Sequence, residues 1–337
     1  MQNDTQKIKD LFLSGDEANF ELALTLVKSQ KNAEINEFYR RLLDLHECWS
    51  KQILDDYPKE LSGMIPYFKE QGLNFFKNYE LREFPADCAI IAPFVKSLYI
   101  WYLSLHSLPT GIEMFQEIES IKVNSGKLSS LAKEAWALPK LKRLDICIAK
   151  NFEWNENILL AQGLESIDLS GVVYPSIPAQ LDQLPNLKRF GYRALGNPKD
   201  EVELEEVLWN CTKLETLDLY GKTIVNPEEH CFEKMTVLKS LSLASVNWEE
   251  LPKSLLAPKQ LNTLLLNKLI KLKTLPDWFA SLPIEHLIIY GCKFSNAMDI
   301  FQQLPNLKSL SIQASLQKKV TAGDWQQAFG HVQLFVR

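Results

Sequence analysis

Glycine and proline are scarce in this 337-residue chain, at 13 and 16. Fibrous and low-complexity classes are therefore excluded. The six cysteines (48, 88, 147, 211, 231 and 292) include no Cys-x-x-Cys pair, which argues for reduced thiols packed as small hydrophobes rather than zinc ligands or a disulfide framework. Basic residues are not in excess: 42 acidic side chains against 37 basic give a net charge of −5. A general nucleic-acid binder needs the opposite sign. No apolar run approaches the roughly 18 residues of a membrane span. Residues Met1–Asp10 lack the apolar core of a signal peptide, and the C-terminus has no lipidation signal. A cytoplasmic protein that binds neither nucleic acid nor membrane is expected.

Catalytic motifs are missing too. There is no phosphate loop, Rossmann glycine fingerprint, Gly-x-Ser-x-Gly elbow or His-Glu-x-x-His motif, and these carry much of the chemistry readable from sequence. Only five histidines occur, scattered at 46, 106, 230, 286 and 331. His230-Cys231 is adjacent in sequence, but neighbours one apart on a helix do not face each other as a base and nucleophile must. No catalytic residue, cofactor or metal site is expected.

Leucine, by contrast, fills 54 positions, and the surplus is periodic. The pattern apolar-x-x-apolar-x-apolar recurs ten times, with middle residues Leu98, Ile121, Leu144, Ile167, Phe190, Leu217, Leu241, Leu264, Leu287 and Leu310. Their spacings are 23, 23, 23, 23, 27, 24, 23, 23 and 23. All thirty pattern positions are apolar, counting Tyr192; at a 46% base rate one fixed register gives this on the order of once in 10¹⁰. The residue before each middle position is never apolar, and the one before that is charged in nine repeats of ten, from Lys96 and Glu119 to Glu285 and Lys308. This is period-2 alternation over short strands, one per repeat. A period of 23 is too short for a strand, a helix and two loops, which need roughly 31 residues. It suits a coil of one strand and a compact return, whose leucines are buried only when neighbours stack into a parallel sheet.

The runs Leu187-Lys-Arg-Phe190, Leu238-Lys-Ser-Leu-Ser-Leu243 and Leu307-Lys-Ser-Leu-Ser-Ile312 resemble leucine-rich repeats. So do the return signals Leu108-Pro109, Ile177-Pro178, Leu251-Pro252 and Leu275-Pro276. The 23-residue period is similar to that of bacterial and plant-type members, and Asp10–Asn19 resembles the N-termini of bacterial ones. The resemblance implies an α/β fold: a right-handed horseshoe solenoid with a parallel concave sheet used for protein recognition. One departure stands out. The family places Asn or Cys five residues after the middle position, to hydrogen-bond the turning backbone of the next coil; here only Cys292 conforms. The other turn amides need backbone or water partners.

Three regions follow: an N-terminal helical cap over 1–69, repeats over 70–316 including a degenerate one at 72–85, and a C-terminal cap over 317–337. Apolar residues at 3–4 spacing, including Ile35, Phe38, Leu42, Trp49 and Ile53, predict two or three N-terminal helices. Thr321–Phe329 reads as a short helix and 331–337 as a final strand or tail. The long 190-to-217 interval predicts a helix over Lys199–Trp209, and Asn226-Pro227-Glu-Glu a second running to Met235.

Residues one and three beyond each middle position should face the concave side. Trp, Tyr and Arg are the types that anchor interfaces, which selects Tyr99, Trp101 and Tyr102, then Arg193 and Tyr220, then Tyr290. Asp145, Asp168 and Asp218 share the first column as an acidic stripe. The flanks are too short for a typical enzyme domain. The expected function is a non-enzymatic scaffold binding a protein or peptide on the concave sheet; the alternative is a bacterial effector delivered to host cells that acts by binding host proteins.

Overall fold

The computed structural model describes residues 2–52, 57–75, 82–101, 105–148, 152–171, 176–195 and 202–336. They form two compact units, Met1–Ile146 and Cys147–Arg337. Twelve parallel strands succeed one another in sequence order within the sheet. No described helix is long and apolar enough to cross a membrane.

The first unit begins with four helices: α1 (Gln2–Leu13), α2 (Glu17–Ser29), α3 (Ala33–Gln52) and α4 (Met64–Gln71). The motif Ser14-Gly15-Asp16 separates the first two. Gly15 takes φ +79°, a conformation that costs glycine little. Asp16 then caps α2, its carboxylate accepting the Asn19 N–H at 2.9 Å. Lys69 of α4 donates to the Ser14 carbonyl at 2.8 Å and tethers the turn. The helices bury Phe12, Ile35, Leu42, Trp49 and Phe68; Ile35, Leu42 and Trp49 belong to the 3–4 stripe legible in the sequence.

Strand β1 (Leu73–Phe75) pairs with β2 (Ser97–Trp101), so the degenerate repeat supplies a real strand. Then follow β3 (Ser120–Ser125), the single-turn helix α5 (Lys133–Trp136) and β4 (Arg143–Ile148).

The second unit continues with β5 (Ser166–Gly171), β6 (Arg189–Ala194), the single-turn helix α6 (Glu206–Trp209) and β7 (Thr216–Tyr220). Next come β8 (Ser240–Ala244), β9 (Thr263–Asn267), β10 (His286–Tyr290), α7 (Ala297–Phe301) and β11 (Ser309–Ile312). Helix α8 (Ala322–Phe329) and β12 (Gln333–Val336) close it. Thr321 and Asp324 form a reciprocal cap at the start of α8, which lays Trp325 on Phe301 with ring centroids 6.3 Å apart.

All ten middle residues are 0% exposed. At about 1.5–3 kcal/mol for each fully buried large aliphatic or aromatic side chain, this spine is the main stabilising element of the repeat. The charged column two residues before it has its own role. Its carbonyl accepts both N–H groups entering the next strand: Lys239 and Ser240 donate to Glu215 at 2.8 and 3.0 Å, and Lys308 and Ser309 to Glu285 at 2.8 and 2.9 Å. The side chains alternate in sign and pair between neighbours: Glu119–Lys142 at 3.0 Å in the first unit, Glu215–Lys239 at 2.6 Å and Glu285–Lys308 at 2.8 Å in the second. Register is thus fixed by both backbone and charge.

Two helix expectations fail. Of Lys199–Trp209, residues 199–201 lie outside the described residues, Val202 bridges to Ile224, and helix begins only at Glu206. Residues 229–234 are turns, and 226–228 and 235 have no regular structure. Here Asn226 bonds sideways to the next coil, accepting the Glu249 N–H at 2.7 Å and donating to the Glu250 carbonyl at 2.8 Å, instead of capping a helix. Its donors and acceptors are spent between coils, so stacking overrides the local signal.

The absent asparagine ladder is replaced by backbone. Gly221, Ser245 and Lys268 donate to the Ala244, Asn267 and Tyr290 carbonyls of the following strand, at 3.1, 2.7 and 2.7 Å. Ser245 and Lys268 adopt left-handed φ of 56° and 54° to do so. Cys292, in the ladder position, accepts the Leu269 N–H at 3.4 Å and donates to the Leu266 carbonyl at 3.6 Å.

Candidate recognition surface

Alternation along each strand turns the middle residue inward and its neighbours at −1, +1 and +3 outward. In the first unit, β2 presents Tyr99 and Trp101, 36% and 51% exposed. Neither packs away beneath the helices. The β3 partners in register are Lys122 and Asn124, and the Lys122 ammonium lies 5.7 Å from the Tyr99 ring centroid, within cation–π range. Tyr102 lies outside the described residues. Asp145 is half-buried on β4.

In the second unit the register sets Asp168, Gly191 and Asp218 side by side on β5, β6 and β7. Arg189, two residues before Gly191 and so on the same face, bridges both acids: its Nε is 3.6 Å from Asp168 Oδ2, and its terminal nitrogen pairs with Asp218 Oδ2. The acidic stripe is therefore a clamped acid–arginine–acid triplet. Burial pushes the Asp218 carboxyl upward, the opposing pull of Arg189 notwithstanding, with Asp168 adding repulsion. Arg193, again two residues on, stacks its guanidinium 5.6 Å from the Tyr220 ring. Tyr220 is 39% exposed.

Toward the far end of this unit, Tyr290 shares a 2.5 Å hydroxyl contact with Ser311. Half-buried Leu265 and Ile288 pair in register beside it, and the next strands add Ser311 and exposed Phe335 to the same row.

No family model matches the chain. The fold is similar to that of a leucine-rich-repeat protein from Leptospira interrogans, with a TM-score of 0.53 over 80% of this chain and 78% of that one, at 18% identity. The chain folds as a leucine-rich repeat protein. An internalin of Listeria monocytogenes aligns with a TM-score of 0.46 over 81% of this chain and 78% of that one, at 13% identity. A probable disease resistance protein of Arabidopsis thaliana is 26% identical over 212 residues, which span 55% of this chain and 16% of that relative. The chain thus matches about a sixth of the plant protein's length.

On this leucine-rich repeat, one outward residue escaped the sequence reading. Arg189 sits in the column before the middle residue, which was read only as polar; period-2 alternation alone would have assigned it to the outward face. Among the described residues no group of three His, Cys, Asp or Glu side chains is placed to hold a metal ion. The four buried thiols are poor nucleophiles: burial pushes Cys88, Cys211 and Cys231 up to about 12 and Cys292 up to about 11. His230 pairs with Glu228 at 3.0 Å, while the Cys231 sulfur faces Ser254 Oγ at 3.9 Å. The two adjacent side chains thus turn to different partners.

Proposed function

We propose that this protein is a non-enzymatic scaffold that binds a polypeptide partner on the outward, concave side of its sheet. The observation that carries the reading is the pre-ordered Arg193–Tyr220 stack, held out in solvent beside the clamped Asp168–Arg189–Asp218 triplet. Packing in the fold does not require an exposed tyrosine or tryptophan on a sheet whose spine is already sealed. As interface anchors such residues bury large area with few rotamers to fix. Mixed charge beside aromatics suits a polypeptide better than a polyanion. The first unit contributes a second anchor group in Tyr99 and Trp101.

Combined substitution Arg193→Ala, Tyr220→Ala and Tyr290→Ala tests this. Quantitative pull-down from native cell extract should lose the partners that wild type captures, while the melting temperature stays nearly unchanged. Undiminished capture by the triple variant would remove these residues from the binding surface.

A further inference from the structure

Charge is divided unevenly along the outward sheet face of the second unit. On β5, β6 and β7, four of nine outward positions are charged: Asp168, Arg189, Arg193 and Asp218. On β8 to β12, none of thirteen is Asp, Glu, Lys or Arg, although such residues make up 23% of the chain. A face that meets only water keeps its charges. Loss of charge with a gain of aromatic groups marks the core of an interface. Leu265, Ile288, Tyr290 and Phe335 all stand on these strands, Phe335 50% exposed.

The register orders these groups. Ser242, Leu265, Ile288, Ser311 and Phe335 form one row, each opposite the next on the adjacent strand. Hydrogen-bonding groups flank the row. On one side His286 Nδ1 lies 2.8 Å from Ser309 Oγ, and on the other Asn267 and Tyr290 pair in register. Four strand spacings of about 4.8 Å make the row ~19 Å long. An extended chain turns a side chain to the same face about every 6.7 Å, so three such steps span it. A charged side chain set on the row would be desolvated without a counter-charge. An apolar one meets no such cost, and the flanking groups are placed to hydrogen-bond a main chain.

The neutral row borders charge on its β7 side. There Arg189 is committed to Asp168 and Asp218. Arg193 pairs with no carboxylate among the described residues, and its guanidinium is held against Tyr220, its partner in register. Its fork of donors is thus available to an incoming carboxylate. From Arg193 on β6 to Phe335 on β12 is six strand spacings, ~29 Å, the reach of about nine extended residues.

We propose that β8–β12 and Arg193 together select the partner segment that this face binds. That segment is about nine extended residues long, with a carboxylate side chain at the end over Arg193 and uncharged, mostly apolar residues along the rest. The proposal rests on the scaffold reading and deepens it by naming the chemistry of the peptide. Its specificity comes from exclusion of charge as much as from attraction.

The test is selection from a phage-displayed random nonapeptide library on the immobilised full-length chain. Wild type should enrich peptides with Asp or Glu near one end, Val, Leu, Ile or Phe elsewhere, and no Lys or Arg. Arg193→Glu should exchange the terminal acid for Lys or Arg. Ser242→Lys and Ser311→Lys should each weaken binding of a synthetic wild-type-selected peptide about tenfold or more, read by fluorescence anisotropy. Enriched peptides charged along their length, an acid preference that survives Arg193→Glu, or no enrichment at all overturns the proposal. The scaffold reading would outlive each of these results if the Arg193/Tyr220/Tyr290 alanine variant still loses its cellular partners. Self-association in sedimentation that Phe335→Ser abolishes would assign the row to a second copy of the chain, and likewise overturns it.

Discussion

The carboxylate of Asp168 fills the space that a β-carbon on Gly191 would need: an ideal Cβ there would lie 2.7 Å from the Asp168 Cγ. Gly191 thereby lets an acid on β5 lean across β6 toward the strand's own arginine. Its backbone has no positive φ, so space rather than conformation explains the glycine.

Gly191→Ala should push the Asp168 carboxylate aside and break its 3.6 Å approach to Arg189. Stability should change little, since alanine is favoured over glycine in a strand by about 0.5–1 kcal/mol and the displaced group is a rotatable side chain. Partner capture should fall. Urea unfolding and pull-down of the same variant separate the two effects; lost stability with full capture would mean that Gly191 serves packing alone.

Asp218 gives a pH signature of uncommon sign. Its carboxyl is raised because burial outweighs Arg189. The native state therefore binds a proton more readily than the unfolded state, and stability falls as pH rises from the unfolded value of about 3.9 through the folded one. Above that window the contribution is a constant penalty. Asp218→Asn should be at least as stable as wild type at neutral pH, and the difference between the two should shrink as pH drops through the window. Urea midpoints measured against pH check this; a variant that loses stability at pH 7 would show that the Arg189 pair outweighs burial.

The alternating charge column makes a prediction about register. Glu215→Lys or Lys239→Glu alone places like charges side by side and should lower the urea midpoint slightly, because both groups are substantially exposed. The double reversal should recover it. About 1 M salt, with its screening length near 3 Å, should erase the differences. Additive losses in the double variant would mean that the 2.6 Å pair does not act as a pair.

Most of the sheet was legible because two periods coincide: alternation at 2 marks each strand, and recurrence at 23 stacks them. The N-terminal helices were legible from a 3–4 stripe, and α8 from the short helix expected over Thr321–Phe329; its Thr321–Asp324 cap emerged only in the structure. The return segments were not. Asn226-Pro227 reads locally as a helix start, yet Asn226 uses both side-chain functions on the neighbouring coil, a partner 23 or 24 residues away that no local rule weighs. For the surface, Tyr99, Trp101 and Tyr220 were placed outward by alternation alone, but the role of Arg189 depended on which acids flank it across three strands.

Cys292 tests the one ladder position that survives. Cys292→Ala removes the acceptor for the buried Leu269 N–H and should cost about 1–3 kcal/mol. Cys292→Asn, which restores an acceptor and a donor, should cost less. Equal losses in thermal unfolding would show that the thiol acts through volume and not through its hydrogen bonds.

Cross-linking mass spectrometry on complexes captured from native cells bears most directly on the central claim. Cross-links from the partner should concentrate on outward strand positions, with Lys122 and residues flanking Arg193 and Tyr220 foremost, and the Arg193/Tyr220/Tyr290 alanine variant should lose them. A partner linked only to the return segments and helices, and held equally by that variant, would contradict the assignment of the sheet face as the recognition surface.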